Sequence, residues 1–204
     1  MNQKKILIES LKEKKFPKEI LNAFSKVKRE NFIPLNSRKN AYEDTSLPIG
    51  EGQTISQPYT ITVMLELLKL KKEQKVLEIG SGSGYVLALL SEIVGKKAIV
   101  FGVELVKELY EKSKENLRDY ENIEVYNRDG NLGLNEKKPF DRILISARTE
   151  EIPPALVRQL KDKGIIVAPI GSSYIQSLTS FRKENGKLKV IEEIPGFLFV
   201  PLVS

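Results

Sequence analysis

Residues 76–85 read V-L-E-I-G-S-G-S-G-Y. Val76, Leu77 and Ile79 make the short apolar run of a buried strand, and V-L-A-L-L-S-E-I-V from Val86 onward is an apolar helix. Between them Gly80, Gly82 and Gly84 alternate with Ser81 and Ser83. A strand that passes through a glycine loop into a helix is how many α/β proteins hold a nucleotide-like ligand. The spacing is G-x-G-x-G, with Tyr85 where a dinucleotide fingerprint has its third glycine. No Gly-Lys-Ser/Thr follows, so a P-loop is excluded.

The chain around this loop alternates. V-L-E-I, A-I-V-F-G-V, I-E-V-Y, R-I-L-I-S and I-I-V-A-P-I read as strands, and 84–94, 105–119 and about 153–162 as helices. This rhythm predicts an α/β fold: a Rossmann-like, mostly parallel sheet with helices on both faces. Two runs flanking Asn185-Gly186 predict an antiparallel hairpin near the C-terminus, and F-L-F-V-P-L-V reads as a further strand. Upstream, Pro17 is placed to start a helix that presents Ile20, Leu21, Phe24 and Val27 and ends by Pro34. Residues 41–58, broken by Pro48, Gly50, Gly52 and Pro58, read as an irregular binding loop. A helix with Ile61, Met64, Leu65 and Leu68 on its apolar face follows. The expected organisation is one domain over 1–204, with N-terminal helices and an active-site loop over 1–70 and an α/β core over 71–204.

Composition narrows the chemistry. The chain contains no cysteine and no histidine. That excludes disulfides, thiolate zinc sites, cysteine nucleophiles and the Ser-His-Asp triad, and no metal site is expected. Freedom from cysteine suits the cytoplasm, no apolar run approaches the ~20 residues of a membrane span, and the N-terminus lacks signal-peptide features. Residues 1–40 carry 11 Lys/Arg against 4 Asp/Glu, a charge of +7, and the rest of the chain carries −1, so the excess behind the net +6 sits at the N-terminus. Without interleaved aromatics to stack bases, this is read as the solvated face of lysine-rich helices, and nucleic acid is not expected as a partner.

Two further strand ends join the glycine loop. Glu104 closes the next strand, where an acid can accept from both ribose hydroxyls. Asp129 and Gly130, in N-R-D-G after the strand beyond it, can lie by an exocyclic amine, although Asp-Gly is also a common turn.

E-I-G-S-G-S-G, then V-E, then R-D-G resembles the class I methyltransferases that use S-adenosylmethionine. The upstream A-Y-E-D-T-S-L-P-I-G-E-G-Q-T-I-S-Q-P-Y is similar to the loop of the protein-L-isoaspartate O-methyltransferase family, G-Q-T-I-S-Q-P-Y above all. V-K-R-E-N-F-I-P, I-P-P-A-L-V-R-Q-L-K-D-K-G and F-V-P-L-V carry the likeness over nearly the whole chain. The resemblance implies a monomeric repair enzyme that methylates the α-carboxyl of isoaspartyl residues in damaged proteins. It implies Glu78 toward the cofactor's amino group, Gly80, Ser81, Gly82, Ser83 and Gly84 along its methionine part, and Glu104 with Leu105 at the ribose. Asp129 and Gly130 fall by the adenine, and Gln53, Thr54 and Ile55 along the cofactor. Ser56 is the implied catalytic serine, orienting the carboxylate or the cofactor; its structural alternative is a helix cap before Pro58. A carboxylate is already ionised at neutral pH and needs no general base, which suits a chain without histidine. On the acceptor side fall Ser146, Ala147, Arg148 and Val203. Arg148 departs from the small residues usual there; it can pair with the substrate carboxylate, fill the pocket or point to solvent. The competing readings are an RNA, DNA or other-acceptor methyltransferase on the same fold and a non-catalytic cofactor-binding relative. Against the first, S-A-R-T lacks the polar-Pro-Pro-aromatic pattern of base-amino methylation.

Overall fold

The computed structural model describes residues 3–203. Its centre is a seven-stranded sheet built from β3 (Val76–Ile79), β4 (Val100–Glu104), β5 (Ile123–Asn127), β6 (Phe140–Ile145), β7 (Leu160–Gly171), β8 (Gln176–Glu184) and β9 (Lys187–Phe197). A separate two-stranded hairpin pairs β1 (Leu47–Gly50) with β2 (Gln53–Ile55). The large sheet runs in the order β5-β4-β3-β6-β7-β8-β9. The five strands from β5 to β7 are parallel, and β8 is antiparallel to both its neighbours. The chain steps outward from β3 through β4 to β5, then returns to the other side of β3 to form β6. That reversal opens a crevice at the carboxyl ends of β3 and β6, where open α/β sheets bind ligands.

Period-two alternation divides the strand side chains between two cores. Val76, Val100 and Leu144 face α1 (Gln3–Glu13), α2 (Lys18–Lys26), α3 (Pro58–Leu68), α4 (Tyr85–Val94) and α5 (Lys107–Asn116). Leu77, Ile79, Phe101, Val103, Ile143 and Ile145 face the side that carries α6 (Pro154–Gln159). α3 is buried on almost every side, including Thr60 and Thr62. Its C-terminal carbonyls are satisfied by Arg142 of β6, whose Nε donates to Leu68 O at 2.8 Å and Nη2 to Lys69 O at 3.1 Å.

The structure departs from the sequence reading in four places. The helix after Pro17 stops at Lys26, and two 3-10 turns over 29–32 and 35–40 carry the chain on past Pro34. The segment 41–58 contains the β1–β2 hairpin, turned by Gly50, Glu51 and Gly52, all at positive φ. The helix expected over 153–162 ends at Gln159, because Leu160 already pairs with Phe140. F-L-F-V-P-L-V is not a strand: after Phe197 it makes only an isolated bridge between Pro201 and Arg148. There Arg148 N–H donates to Val200 O and Leu202 N–H to Arg148 O, both at 2.8 Å.

Candidate active site

The loop after β3 is tied to its neighbours by its own amides. Gly80 and Ser81 N–H both donate to Val103 O, at 2.8 and 3.1 Å. Gly82 N–H donates to Glu104 Oε2 at 2.7 Å, and Val106 N–H donates to the other oxygen of that carboxylate at 2.9 Å. Glu104 therefore stands at the end of β4 as a buried bidentate acceptor facing the glycine loop. Gly82 adopts φ +54°, which strains any other residue, and a Cβ there would lie 3.0 Å from Ile49 Cδ1 of β1, so the hairpin's side chain packs directly on the loop. At the end of β5 the constraint is tighter: a Cβ on Gly130 would lie 2.4 Å from Ile79 Cγ2. Asp129 caps the turn there, its Oδ1 accepting from Asn131 N–H at 2.8 Å.

Glu78 sits one strand deeper. It is 1% exposed, and its Oε1 accepts from Ser146 Oγ at 2.6 Å across the β3–β6 pair. Its Oε2 is buried without a partner, as is Ser81 Oγ. Burial pushes the Glu78 carboxyl up to about 8 against the opposing pull of the Ser146 bond.

Two cavities open on these elements. The first is lined by ten of the residues singled out from the sequence: Gln53, Thr54, Gly80, Gly82, Glu104, Leu105, Gly130, Ser146, Ala147 and Val203. Its free space is about 60 Å³, well below the roughly 300 Å³ of the smallest usual ligand pockets, so its walls must part to admit a nucleoside. The second is a groove of about 660 Å³ lined by Ser56, Gln57, Tyr59, Ser173 and the stretch Ile194–Val200. Thr54, Ser146 and Val200 line both.

The remaining singled-out residues fall behind or beside these walls. Ile55 is buried under the hairpin, Ser83 and Gly84 lead into α4, and Asp129 supports Gly130 from the turn. Gln57 rather than Ser56 occupies the cap position of α3, and no side chain caps that helix. Arg148 lines neither cavity; its backbone pins the C-terminal segment. Sequence reasoning missed Ile49, Val103, Val106, Leu109 and Val200–Leu202 as cavity walls. These are apolar residues whose only signal is position, next to a loop or an acid already marked. It also missed Arg29, fully buried beneath the hairpin, where Nη1 donates to Ser56 O at 2.9 Å and Nη2 to Thr45 O at 3.2 Å.

The site's chemistry fits S-adenosylmethionine. A buried carboxylate oxygen without a partner suits an ammonium, a bidentate acid suits a ribose, and glycines leave the backbone open to approach. Comparison with known proteins agrees. The family model described as protein-L-isoaspartate(D-aspartate) O-methyltransferase matches residues 2–204. A protein-L-isoaspartate O-methyltransferase of Methanococcus maripaludis is 44% identical over 187 residues, covering 91% of this chain and 87% of the relative. A solved protein-L-isoaspartate O-methyltransferase superposes with a TM-score of 0.88 at 31% identity, over 98% of this chain and 66% of the other. A Plasmodium falciparum structure assigned the same activity, in complex with S-adenosyl-L-homocysteine, gives 0.86 at 27% identity, over 100% and 99%. The class I methyltransferase fold expected from the glycine loop is the fold found. The chain belongs to the protein-L-isoaspartate (D-aspartate) O-methyltransferase family, enzymes that use S-adenosylmethionine to methylate isoaspartyl residues of damaged proteins.

Proposed function

We propose that the two cavities divide the reaction between them, the first holding the cofactor and the second the isoaspartyl segment of the client protein. The observation that carries this reading is their junction at Thr54, Ser146 and Val200. A donor and an acceptor bound on either side of it meet there.

In this reading Glu78 Oε2 receives the cofactor's ammonium, Glu104 receives the ribose hydroxyls, and the base lies by Gly130. Gly80 and Gly82 line the path between them, with Gln53 and Thr54 as the opposite wall. Bound S-adenosylmethionine supplies an electrophilic methyl on sulfonium. The client's α-carboxylate supplies the electron pair for the new C–O bond as the S–CH3 bond breaks, so no proton moves and no base is required. What the chain contributes is alignment. Ser56 lines the groove side of the junction, and in this reading its hydroxyl donates to the carboxylate and aims the attacking oxygen.

The active unit in this reading is a monomer. None of the described helices is long and apolar enough to cross a membrane. The cysteine-free composition supports a cytoplasmic site of action.

The test is methyl transfer from labelled S-adenosylmethionine to a peptide pair, one with isoaspartate and one with normal aspartate. Base-labile label on the isoaspartyl peptide alone is expected. Label on neither peptide, or equally on both, would overturn the assignment of the groove.

A further inference from the structure

The groove assigned to the acceptor is lined by hydroxyls, an amide and apolar side chains, and no charged side chain lines it. Yet the group it is assigned to hold is an anion. A buried cation lies behind the loop that carries Ser56 and Gln57 into the groove. Arg29 is 0% exposed, and its two terminal nitrogens donate to the carbonyls of Ser56 and Thr45. The face of the Tyr85 ring lies 5.4 Å from the guanidinium carbon, and Arg29 Nε is buried without a partner. Among the described residues no carboxylate lies within ion-pair distance of it. Asp44 is near enough to favour its charge, but Asp44 is exposed and its Oδ1 accepts from Tyr59 N–H at 2.7 Å. Burial lowers the guanidinium's affinity for its proton, yet arginine stays charged in proteins.

A buried charge answered by neutral dipoles and one exposed, distant carboxylate is costly to keep. We propose that the missing counter-charge arrives with the client, and that Arg29 is a positioning residue that makes the groove selective for an ionised carboxyl group. This rests on the assignment of the groove to the acceptor. The route is through one peptide unit. Ser56 C=O points at Arg29, so in a planar trans peptide the N–H of Gln57, a groove residue, points the other way. The guanidinium polarises that unit and turns its positive end outward. The low-dielectric interior lets the field cross with little screening. Lys14, whose Nζ lies 5.2 Å from the centroid of the Tyr59 ring, is a second cation near the groove. It is exposed, however, and its influence fades with salt.

The experiment compares two peptides of one sequence, one with isoaspartate and one with isoasparagine, its uncharged α-carboxamide. Each is titrated calorimetrically into the protein saturated with S-adenosylhomocysteine, at 0.15 M and 0.5 M salt. The wild type is expected to prefer the anion by about tenfold or more, at both salt concentrations. In Arg29→Met the preference should collapse toward one, while Arg29→Lys should keep most of it. Asp44→Asn keeps the bond from Tyr59 but removes a nearby negative charge, so the preference should rise by about two- to threefold. Equal weakening of both peptides in Arg29→Met, with their ratio intact, would reduce Arg29 to a strut for the loop and overturn the proposal. If Arg29→Met does not fold, a fall in the ratio for Asp44→Asn, or its loss at high salt, overturns it instead. A wild type that methylates no isoaspartyl peptide would overturn the acceptor assignment itself, a result distinct from either.

Discussion

Ser146 donates a 2.6 Å hydrogen bond to Glu78 Oε1 at the point where the two cavities meet. The bond reaches across adjacent parallel strands, and it satisfies only half of a fully buried carboxyl group. The other oxygen waits for a donor. With its carboxyl pushed up to about 8, Glu78 is mostly protonated at neutral pH in the free protein. An ammonium bound at Oε2 favours the ionised form and expels that proton.

Cofactor affinity should therefore depend on pH. Below pH 8 it is expected to fall by up to about tenfold per unit, with close to one proton released per S-adenosylhomocysteine bound at pH 7. Glu78→Gln should bind weakly and without that slope. Calorimetry in two buffers of different ionisation enthalpy measures the proton count directly; affinity that is flat from pH 6 to 8 would refute the role of Glu78.

The same carboxyl should cost stability. Its folded value lies above the ordinary 4.5, so the native state holds the proton more tightly than the unfolded chain. The stability linked to that proton is complete below pH 4.5 and is lost as pH rises toward 8. At pH 7 the deficit is about 3 kcal/mol, to order of magnitude. Glu78→Gln without cofactor should thus withstand more urea than the wild type at pH 8, and the two should converge at pH 4.

Glu104 fixes the glycine loop through Gly82, and the proposed function gives it the ribose as well. Glu104→Ala is expected to weaken S-adenosylhomocysteine binding by about 100-fold, the loss of a bidentate charged acceptor. Glu104→Gln, which keeps one acceptor oxygen, should fall between. Isothermal titration decides it, and unchanged affinity in the alanine variant would remove Glu104 from the cofactor site.

Ser56→Ala should separate catalysis from folding. No helix cap is lost, since no side chain caps α3. The variant should keep its melting temperature within about 2 °C and its cofactor affinity within about twofold, while kcat falls by about tenfold or more. An unaltered kcat on the isoaspartyl peptide would strip Ser56 of its catalytic role.

The C-terminal segment supplies one whole wall of the first cavity. Beyond Phe199 it is held by the bridge to Arg148, and it contributes Val200, Pro201, Leu202 and Val203 to a cavity too narrow for a nucleoside. Truncation after Phe199 should speed S-adenosylhomocysteine dissociation by about tenfold or more in stopped-flow experiments, since an exposed ligand face loses its apolar cover. An unchanged off-rate would mean that another wall gates entry.

How much of this was legible in the sequence follows from how local each signal is. The strand, glycine loop and helix from Val76 to Val94 lie contiguous, and they appear where the pattern puts them. So does the hairpin at Asn185-Gly186, which needs only its turn. Glu104 and Gly130 were readable because each ends a strand beside the loop. The tail was not readable, because its partner is Arg148, some fifty residues earlier, and nothing near Pro201 announces a bridge in place of a strand. Arg29 hid for a different reason. It stands in a lysine-rich segment where charge ordinarily means solvent, and only the packed molecule shows it under Ser56. Arg148, conspicuous in the sequence as a cation on the acceptor side, serves the structure through its backbone.

One feature of the sheet bears on the company this enzyme keeps. β9 is its outermost strand, eleven residues long, with one side unpaired. A bare strand edge is an invitation for extended chains to add on and aggregate. Lys187, Lys189, Glu192 and Glu193 are exposed along that edge, two register irregularities interrupt its pairing with β8, and Pro195 withholds an amide. From Ile194 to Val203 no residue is charged, and that is where the groove begins. The rim of the sheet thus discourages strand addition along most of its length and loses its charges only where it runs into the groove beside Ser56.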